Sequence, residues 1–526
     1  MEVAQQAGLS YRWTATGKRP LNILQTIGNG CAFLDFDNDG NLDILLVGPR
    51  VALYKGDGQG HFIDVSEATG IAKLRGSFLG CAVGDYDNDG HRDIYLSGYQ
   101  TGVLLHNDGG SRFTNVTQKL GLAPQPWGTS CGFADINGDG YMDLYVANYA
   151  RFTTQTTPQM CKFATEKHGD VLSSCGPRYY PGLKGALFQN LGGKRFSDVT
   201  KAWGLDTHHG RGLGVAFADV LGDGHTGIAV ANDEAPGDLF VTKESKAATL
   251  ENVGVASGVA YDRDGSLHGG MGTDWGDFNN DGRPDLFVAT FQNEAKSLYR
   301  NDGDGNFSDV SYPTGIGRLA LPYVSFGTKF LDADNDGFLD ILVASGHVQD
   351  NIELIENTKY RQPVMLLQNE GGQSFADATD ASGMTALPPI VGRGLAVGDY
   401  DNDGRMDALI VDSEGAPLLL HNETPLPAPG ESANWVGFSC LDKHGCDAYG
   451  ALVTVEQDAA PKRLMRECQT SGSYLSSSDP RVHFGLGSKP AARIKVTVRW
   501  PDGKVDIWNG VPTGRYGRLQ EGKPPE

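Results

Sequence analysis

A nine-residue motif rich in aspartate recurs along the first three quarters of the sequence. It reads DFDNDGNLD over residues 35–43 and returns with small changes at residues 85, 135, 277, 332 and 399. Carboxylates at positions 1, 3, 5 and 9 can converge on one centre, while the glycine at position 6 permits a sharp reversal of the chain. Such an oxygen cage suits a hard cation. We call each copy an Asp loop and predict one metal site in each.

The predicted metal ligands are the residues at positions 1, 3, 5, 7 and 9 of the six Asp loops, with position 7 acting through its backbone carbonyl. They are Asp35, Asp37, Asp39, Asn41, Asp43, Asp85, Asp87, Asp89, His91, Asp93, Asp135, Asn137, Asp139, Tyr141, Asp143, Asp277, Asn279, Asp281, Arg283, Asp285, Asp332, Asp334, Asp336, Phe338, Asp340, Asp399, Asp401, Asp403, Arg405 and Asp407. A seventh copy, residues 219–227, has Leu221 and Gly227 at ligand positions, so we expect no ion there.

Calcium is the ion that these loops favour, at about six per chain. A flexible cage built only from protein oxygens suits Ca²⁺ better than Mg²⁺. An EF-hand would need a glutamate at position 12, where Leu46 stands in the first loop, and flanking helices. The chain carries 65 acidic against 44 basic residues and a formal net charge of −21, of which six Ca²⁺ would offset more than half. The alternative is six metal-free surface turns rich in Asp and Asn.

The elements around the Asp loops indicate the fold. A second motif, LYKGDGQGHFIDVS at residue 53, recurs at residues 104, 187, 298 and 366 and has the pattern of a β-hairpin. One repeat is therefore four antiparallel strands, A to D, with the Asp loop joining A to B. Repeats of this kind are typical of propeller blades. Seven copies predict an all-β fold, a seven-bladed β-propeller over residues 1–424 with calcium in its A–B loops.

The last blade lacks its own outer strand in the sequence. Its third strand, LLLHNE at residue 418, is followed by Pro425, Pro427 and Pro429. Residues 2–9, EVAQQAGL, resemble the end of strand D in other blades, such as NVTQKLGL at residue 115. We therefore predict that residues 2–9 close blade seven and remove an open sheet edge. Residues 425–526 are expected to form a small C-terminal β domain.

Both parts of the chain resemble known families. The Asp loop and the hairpin motif resemble the FG-GAP/VCBS repeats of integrin α-chain propellers and of many exported bacterial proteins. Residues 425–526 resemble the ASPIC/UnbV domain through NWVGF at 434, GALVTV at 450, GSYLSS at 472, HFGLG at 483 and VTVRWPDG at 496. The pairing is that of cartilage acidic protein-like chains of the bacterial type. The resemblance implies the fold, calcium and secretion, but no single reaction.

Two groups of cysteines suggest disulfides. Cys161 and Cys175 bracket an insertion, and we expect them to be bonded. In the C-terminal region, where the ASPIC/UnbV motifs contain no cysteine, we expect a Cys440–Cys446 pair and a free Cys468.

Three further cysteines, Cys31, Cys81 and Cys131, lie four residues before their Asp loops. They could form a thiolate metal cluster near the axis. The favoured interpretation is that they are small apolar residues packed between blades, because Val, Thr or Leu takes the same place in other blades.

Blade topology places the long insertions on the face without Asp loops, the calcium-free face, hereafter the opposite face. Loops on a rigid scaffold commonly carry function. The candidate ligand-binding or catalytic residues there are Arg211, Asp233, Glu234, His268, His347 and Arg393. Further polar residues expected on this face are Tyr99, Tyr149, Arg151, His208, His209, Glu294, Tyr323, Asp350, Asp412 and Glu414.

Two functions fit these patterns. The first is an exported calcium-binding scaffold, secreted or periplasmic, that binds a protein, glycan or small molecule on the opposite face. The alternative is an enzyme, such as a lyase, hydrolase or tailoring cyclase, with acid and base groups in a funnel on that face. The sequence contains no GxSxG, HExxH, P-loop or dinucleotide motif, which disfavours common enzyme classes.

Composition narrows the partners. The acidic surface disfavours nucleic acids and anionic membranes, and no apolar run of about 18 residues is present. Residues 1–13 lack the features of a signal peptide, so we expect the sequence to represent a mature exported chain.

Overall fold

The computed structural model describes residues 1–15, 17–153, 155, 158–207, 209–244, 247–425 and 433–525. Within these residues the fold is all-β, as the sequence predicts. The helical segments are single turns, namely α1 (Ile23–Thr26), α2 (Gly254–Ser257) and α3 (Ile316–Leu319), with 3₁₀ turns at Ile71–Lys73, Pro177–Tyr179, Leu205–Thr207, Ile352–Leu354 and Met384–Ala386.

Seven antiparallel units follow one another along the chain. Unit one contains β1 (Cys31–Leu34), β2 (Asp43–Leu46), β3 (Ala52–Gly56) and β4 (Phe62–Asp64), and unit two contains β5 (Ser77–Gly84), β6 (Asp93–Asn107) and β7 (Phe113–Asn115). Unit three contains β8 (Gln125–Ala134), β9 (Asp143–Asn148), β12 (Ala186–Asn190) and β13 (Phe196–Asp198). Between β9 and β12 it carries an inserted hairpin of β10 (Met160–Thr165) and β11 (Gly169–Ser174). In the second unit the long β6 occupies two strand positions, pairing with β5 and then with β7.

The remaining four units repeat the same order. Unit four contains β14 (Gly212–Ala218), β15 (Gly227–Asn232), β16 (Asp238–Glu244) and β17 (Ala247–Asn252), and unit five contains β18 (Thr273–Gly276), β19 (Asp285–Val288), β20 (Ser297–Gly303) and β21 (Asn306–Asp309). Unit six contains β22 (Ser325–Leu331), β23 (Asp340–Gly346), β24 (Arg361–Glu370) and β25 (Ser374–Asp377). Unit seven contains β26 (Gly392–Gly398), β27 (Asp407–Asp412) and β28 (Leu418–Leu420).

The units close into a ring. The first strand of each unit lies against the first strand of the next, and β26 lies against β1. The start of the chain joins the two ends: Glu2 pairs antiparallel with Leu420 of unit seven, and Phe62 of unit one donates its backbone N–H to Ala7 at 2.8 Å. Strand pairing is confined to residues 1–3, because residues 4–8 form a turn. The outer strand of unit seven is therefore shorter than the segment 2–9.

Apolar layers between neighbouring units form the core of the ring. Cys31, Cys81 and Cys131 are buried in three separate layers, each among aliphatic and aromatic side chains. This placement agrees with their interpretation as small packing residues.

An asparagine at the end of the third strand ties each of five units to the preceding one. Asn369 donates from its amide nitrogen to the carbonyl of Phe278 at 2.8 Å and to that of Leu339 at 2.9 Å. The same pair of bonds is made by Asn107, Asn190, Asn301 and Asn422. This contact explains the asparagine of the hairpin motif, which satisfies backbone carbonyls at the unit boundary.

The C-terminal region is a pair of sheets with its own apolar core. One sheet has the order β32 (Val482–Gly485), β29 (Trp435–Leu441) and β35 (Tyr516–Gln520), and the other has β31 (Arg463–Glu467), β30 (Leu452–Glu456), β33 (Arg493–Arg499) and β34 (Val505–Pro512). The predicted Cys440–Cys446 pair is wrong. Cys440 contacts Cys468 in this core, whereas Cys446 contacts Asp85 of the ring, and all three thiols are free.

Residues 470–479, which we call the plug, leave this region between β31 and β32 and enter the axis of the ring. Every plug residue is buried or nearly so. Ser473 pairs with Thr273 and Ser477 with Ala32, on units five and one. A Cβ atom at Gly30 would lie 1.8 Å from the carbonyl oxygen of Leu475, so the inner strand needs glycine for this close approach.

The plug is hydrogen-bonded to all seven units. In six units the plug bonds to backbone groups, namely those of Cys31, Cys81, Val215, Phe217, Thr273, Thr328 and Val397. In unit three it bonds to the hydroxyl of Ser130. The ring and the C-terminal region are therefore one packed structure, and the axis is filled by the chain itself.

The boundary asparagines generate a stability prediction. Asn369→Ala would leave two buried carbonyls without a donor, so it should lower the free energy of unfolding by about 2 kcal/mol. Asn306→Ala, at the exposed first residue of β21, should change it little. Chemical unfolding followed by tryptophan fluorescence measures both, and equal stabilities of the two variants would contradict the proposed role.

Candidate functional site

The Asp loops and the C-terminal region share one face of the ring, hereafter the Asp-loop face. Arg92 of loop two forms an ion pair with Asp447 at 2.6 Å. Arg481 donates to the carbonyl of Asp399 at 2.8 Å and to the side chain of Asn402 at 2.5 Å. The C-terminal region therefore lies directly over several predicted metal sites.

Backbone hydrogen bonds give the Asp loops a common shape. In loop two, Asp85 accepts from the N–H groups of Asp89 (3.2 Å) and Gly90 (2.8 Å). Asp93 accepts from Tyr86 at 3.1 Å and from Asn107 of the third strand at 2.8 Å. The same bonds recur in the other five predicted metal loops. They hold the carboxylates of positions 1 and 9 in place. In loops one, two and six, carboxylate oxygens of positions 1, 3 and 5 lie within 4.8 Å of one another.

Position 4 of the loops needs a left-handed backbone. Asn88 has φ 58°, and its amide donates to the carbonyl of Gly140 in the next loop at 2.9 Å. Asparagine tolerates this conformation better than most side chains. The Asn of the motif therefore shapes one loop and links it to the next.

The loop side chains fit a cation. One oxygen, Oδ1, of each position-3 carboxylate in loops one, two and seven (Asp37, Asp87 and Asp401) is buried without a hydrogen-bond partner. Burial raises the pKa of Asp43 and that of Asp143 to about 8. A metal held by these residues would neutralise carboxylates that lie away from water. The position-7 residues Arg283 and Arg405 place their guanidinium groups on the position-5 carboxylates of their own loops.

The degenerate loop of unit four holds a side-chain cation instead. Arg499 of the C-terminal region forms an ion pair with Asp219, the position-1 carboxylate of this loop. The backbone N–H of Asp219 donates to Glu467 at 3.2 Å. Here a guanidinium neutralises the carboxylate that a metal would neutralise elsewhere.

The opposite face is closed over the axis. Trp127, Tyr149, Tyr180 and Phe326 belong to one buried cluster with Tyr474 of the plug. The ring centroids lie 5.1 Å apart in the Trp127–Tyr149 pair and 4.9 Å apart in the Phe326–Tyr474 pair. Aromatic side chains of this size exclude water from the axis. The aromatic cluster and the plug therefore fill the place where the sequence suggested a ligand funnel.

Two segments cover this cluster. Arg19 bonds to Asp350 and to Glu414, each at 2.7 Å, and so holds the segment before α1 across units six and seven. The β10–β11 insertion reaches unit six, where Ser173 donates to Asn351 at 2.6 Å. The predicted Cys161–Cys175 disulfide is present and closes this insertion.

Arg393 and His347, predicted in the funnel, are fully buried beneath this cover. The Arg393 guanidinium donates to the carbonyls of Thr26 and Gly346 at 2.8 and 2.9 Å and lies 4.0 Å from the centroid of the Phe326 ring. His347 Nδ1 accepts from the backbone N–H of Gln349 at 3.0 Å, and burial lowers its pKa to about 3. Both side chains therefore brace the loops.

The other four candidates lie together at the edge of the insertion. Asp233 accepts from the Tyr149 hydroxyl at 2.6 Å, and burial raises its pKa to about 7. His268 Nε2 lies 3.2 Å from the Tyr299 hydroxyl, and burial lowers the pKa of this histidine to about 4. The paired groups that the enzyme hypothesis needs thus have structural partners.

Arg211 and Glu234 are less buried. Arg211 donates to the carbonyl of Tyr180 at 3.1 Å, and Glu234 accepts from exposed Arg178 at 2.8 Å. Of the other residues expected on this face, His208 lies outside the described residues.

Two features were not found from the sequence. Buried Lys296 donates to the carbonyls of Thr290, Phe291 and Tyr323 at 2.9–3.0 Å, and burial lowers its pKa to about 7. A cavity of about 770 Å³ lies between the C-terminal region and loops one, two and seven, with Arg515 in its wall. Neither belongs to a repeated pattern, so only the tertiary structure reveals them.

Comparisons with known families agree with this architecture. A profile described as FG-GAP-like repeat matches residues 35–96, 85–146 and 238–343, and one described as ASPIC and UnbV matches residues 442–526. The chain is thus an all-β protein that contains FG-GAP-like repeats and a C-terminal ASPIC and UnbV region, and the resemblance inferred from the motifs is confirmed. No helix of the described residues has the length and apolar character needed to cross a membrane.

Among curated proteins the chain is similar to cartilage acidic protein 1. Identity is 26% over 315 residues of the Xenopus tropicalis protein, which covers 59% of this chain and 44% of the relative. It is 26% over 329 residues of the Homo sapiens protein, covering 62% and 46%. The chain thus spans less than half the length of these relatives.

Solved structures include two with partial likeness. One is an Agrocybe aegerita lectin described as recognising non-reducing terminal N-acetylglucosamine, with 16% identity, TM-score 0.40 and coverage of 74% of this chain and 87% of that chain. The other is YCF48 bound to D1 peptide, with 12% identity, TM-score 0.42 and coverage of 78% and 99%.

The burial of His347 generates a prediction about acid stability. Its pKa is about 3 in the folded chain and about 6.5 when unfolded, so its stabilising contribution is fully present above pH 6.5 and is lost as the pH falls towards 3. At pH 5 the loss is about 2 kcal/mol. His347→Gln should therefore lose about 2 kcal/mol less than the native chain between pH 7 and pH 5 in urea unfolding. Exposed His61→Gln is the control, and parallel curves for His347→Gln and the native chain would refute the assignment.

Proposed function

We propose that this chain is a calcium-stabilised recognition module of an exported protein. The observation that carries the proposal is the filled axis: the plug and the aromatic cluster occupy the place where propellers hold a central site. His347, Arg393, Asp233 and His268 are buried and each contacts a neighbouring protein group, which favours a structural role for them over the enzyme alternative. A rigid, closed ring with exposed loops suits binding.

Calcium is the cofactor that we propose for the six Asp loops. Support comes from the converging carboxylates of the loops and from the buried Asp oxygens that have no hydrogen-bond partner. It also comes from Arg499, which pairs with Asp219 in the degenerate loop, where a metal would otherwise be expected. Bound only by the folded chain, calcium would also stabilise it by mass action. The Cys161–Cys175 disulfide is of a kind that persists in oxidising compartments, which supports export to the periplasm or the exterior.

Calcium content tests this proposal loop by loop. Asp285→Asn removes the position-9 carboxylate of the fifth-unit loop, so the variant should bind one Ca²⁺ fewer and melt at a lower temperature. Elemental analysis after dialysis against Ca²⁺ counts the ions, and thermal melts with and without chelator measure the stabilisation.

Asp223→Asn in the degenerate loop is the matched control, because the same chemical change there should leave the calcium count unchanged. Equal melting temperatures with and without chelator in the native chain would sink the calcium proposal.

The recognition surface that we propose is the rim of the opposite face. Leu172, Tyr179 and Leu354 are 44–59% exposed there. They lie on the disulfide-closed β10–β11 insertion, just after it, and on the adjoining loop of unit six, respectively. Asn351, on the unit-six loop, donates to the carbonyl of Leu172 at 2.8 Å and so joins this loop to the insertion. Exposed apolar side chains on a rigid, polar-rimmed surface are typical of protein-binding sites. A protein is therefore the favoured partner.

Surface variants test this placement. Tyr179→Ala combined with Leu354→Ser should remove most partner binding without lowering the melting temperature, because both side chains are solvent-exposed. Leu191→Ser, a similarly exposed leucine on the Asp-loop face, is the control. Extracellular proteins captured by each immobilised variant are quantified by mass spectrometry. Loss of capture only in the control would place recognition on the other face.

A further inference from the structure

We propose that the Asp loops of units two and seven bind a nitrogen-favouring divalent cation, with Zn²⁺ as the probe, through two carboxylates and a histidine. The ligands are Asp87, Asp93 and His106 in unit two and Asp401, Asp407 and His421 in unit seven. This inference rests on the proposed metal binding by Asp loops and divides the six loops into two chemical classes. The loops of units two and seven would take this cation in place of Ca²⁺ when both are present.

The histidine of unit two faces two loop carboxylates. His106 Nδ1 lies 3.5 Å from Asp87 Oδ2 and 3.3 Å from Asp93 Oδ1. Four tetrahedral ligands at about 2.1 Å from zinc have their donor atoms about 3.4 Å apart. The imidazole nitrogen therefore stands at ligand spacing from both carboxylate oxygens.

Unit seven repeats this arrangement independently. His421 Nδ1 lies 3.7 Å from Asp401 Oδ2 and 3.4 Å from Asp407 Oδ1. In both units the three ligand atoms fall within 4.8 Å of one another. The recurrence in two distant units indicates a built site, because each histidine lies at the end of the third strand of a different unit.

Several of these polar atoms have no hydrogen-bond partner. Nδ1 of His106 and of His421 is buried without one, although a carboxylate oxygen lies 3.3–3.4 Å away. Asp87 Oδ1 and Asp401 Oδ1 are buried in the same condition. Buried polar atoms rarely stay unsatisfied, so the unpartnered imidazole nitrogen of each unit, which lies between two loop carboxylates, points to a shared cation.

The other units show what takes this position when no nitrogen ligand is offered. In unit one Lys55 contacts Asp37 and Asp39, so a side-chain ammonium occupies the loop. In unit six the amide of Gln368 donates to Asp334 at 2.8 Å. Calcium prefers oxygen ligands, whereas imidazole favours zinc and other transition metals. Units two and seven are the two in which the third strand brings an imidazole to the loop, within the described residues.

Zinc binding by the full chain tests this inference. The chain is dialysed against Zn²⁺ in excess Ca²⁺, and both metals are counted by elemental analysis. His106→Gln and His421→Gln should each bind one Zn²⁺ fewer than the native chain, and the double variant should bind two fewer. Glutamine is the residue that unit six carries here, so the substitution keeps a polar side chain of similar size. In the converse variant, Gln368→His should add one zinc ion.

The result that overturns the inference is equal zinc content in the native chain and the double variant, or no zinc in either. Melting curves in calcium establish that each variant is folded. The calcium count separates this outcome from failure of the proposed function: histidine-dependent zinc without bound calcium would reject the calcium proposal and keep this one.

Discussion

The hydrogen bonds between the plug and the inner strands of all seven units are the contact on which the rest of the structure depends. Each inner strand offers backbone groups to the axis, and an empty axis would leave these groups to water in a narrow channel. Small plug residues, chiefly serine, let the backbones meet closely. Because the plug belongs to the C-terminal region, its place in the axis also fixes that region over the Asp loops.

Charge distribution follows from this docking. The Asp loops concentrate carboxylates on one face, and the C-terminal region brings Arg481 and Arg499 to that face. Arg466, buried beside the position-1 carboxylates of loops five and six, adds a third guanidinium. Two kinds of cation, side-chain guanidinium and proposed metal, thus share the task of neutralising one surface. Mutual repulsion among these acids would otherwise oppose folding.

Much of the ring was predictable because its sequence pattern repeats, with the Asp loop present in seven copies. The Asp loop and the hairpin motif each have a local physical cause: Asn88 needs a left-handed backbone, and Asn369 bonds across a unit boundary. Contacts that occur once were not predictable. Plug residues 470–479 have no periodicity, and the partner of Cys440 depends on how two sheets pack.

The candidate site likewise has a part that repeated local motifs predict and a part that depends on contacts made once. The predicted loop ligands follow from spacing within nine residues, and the structure draws their carboxylates together. His347 and Arg393 were placed on the correct face, but their burial depends on the cover formed by residues 19–27 and the β10–β11 insertion. Topology assigns a residue to a face; only packing decides whether water reaches it.

The plug also constrains how the polypeptide reaches its native state. Residues 470–479 are made after all seven units, yet they contact every one of them, including β1 near the start of the chain. Such distant contacts give the fold a high contact order and a large loop-closure entropy to overcome. A fragment that ends before residue 470 would therefore contain every blade and still lack the centre around which they assemble.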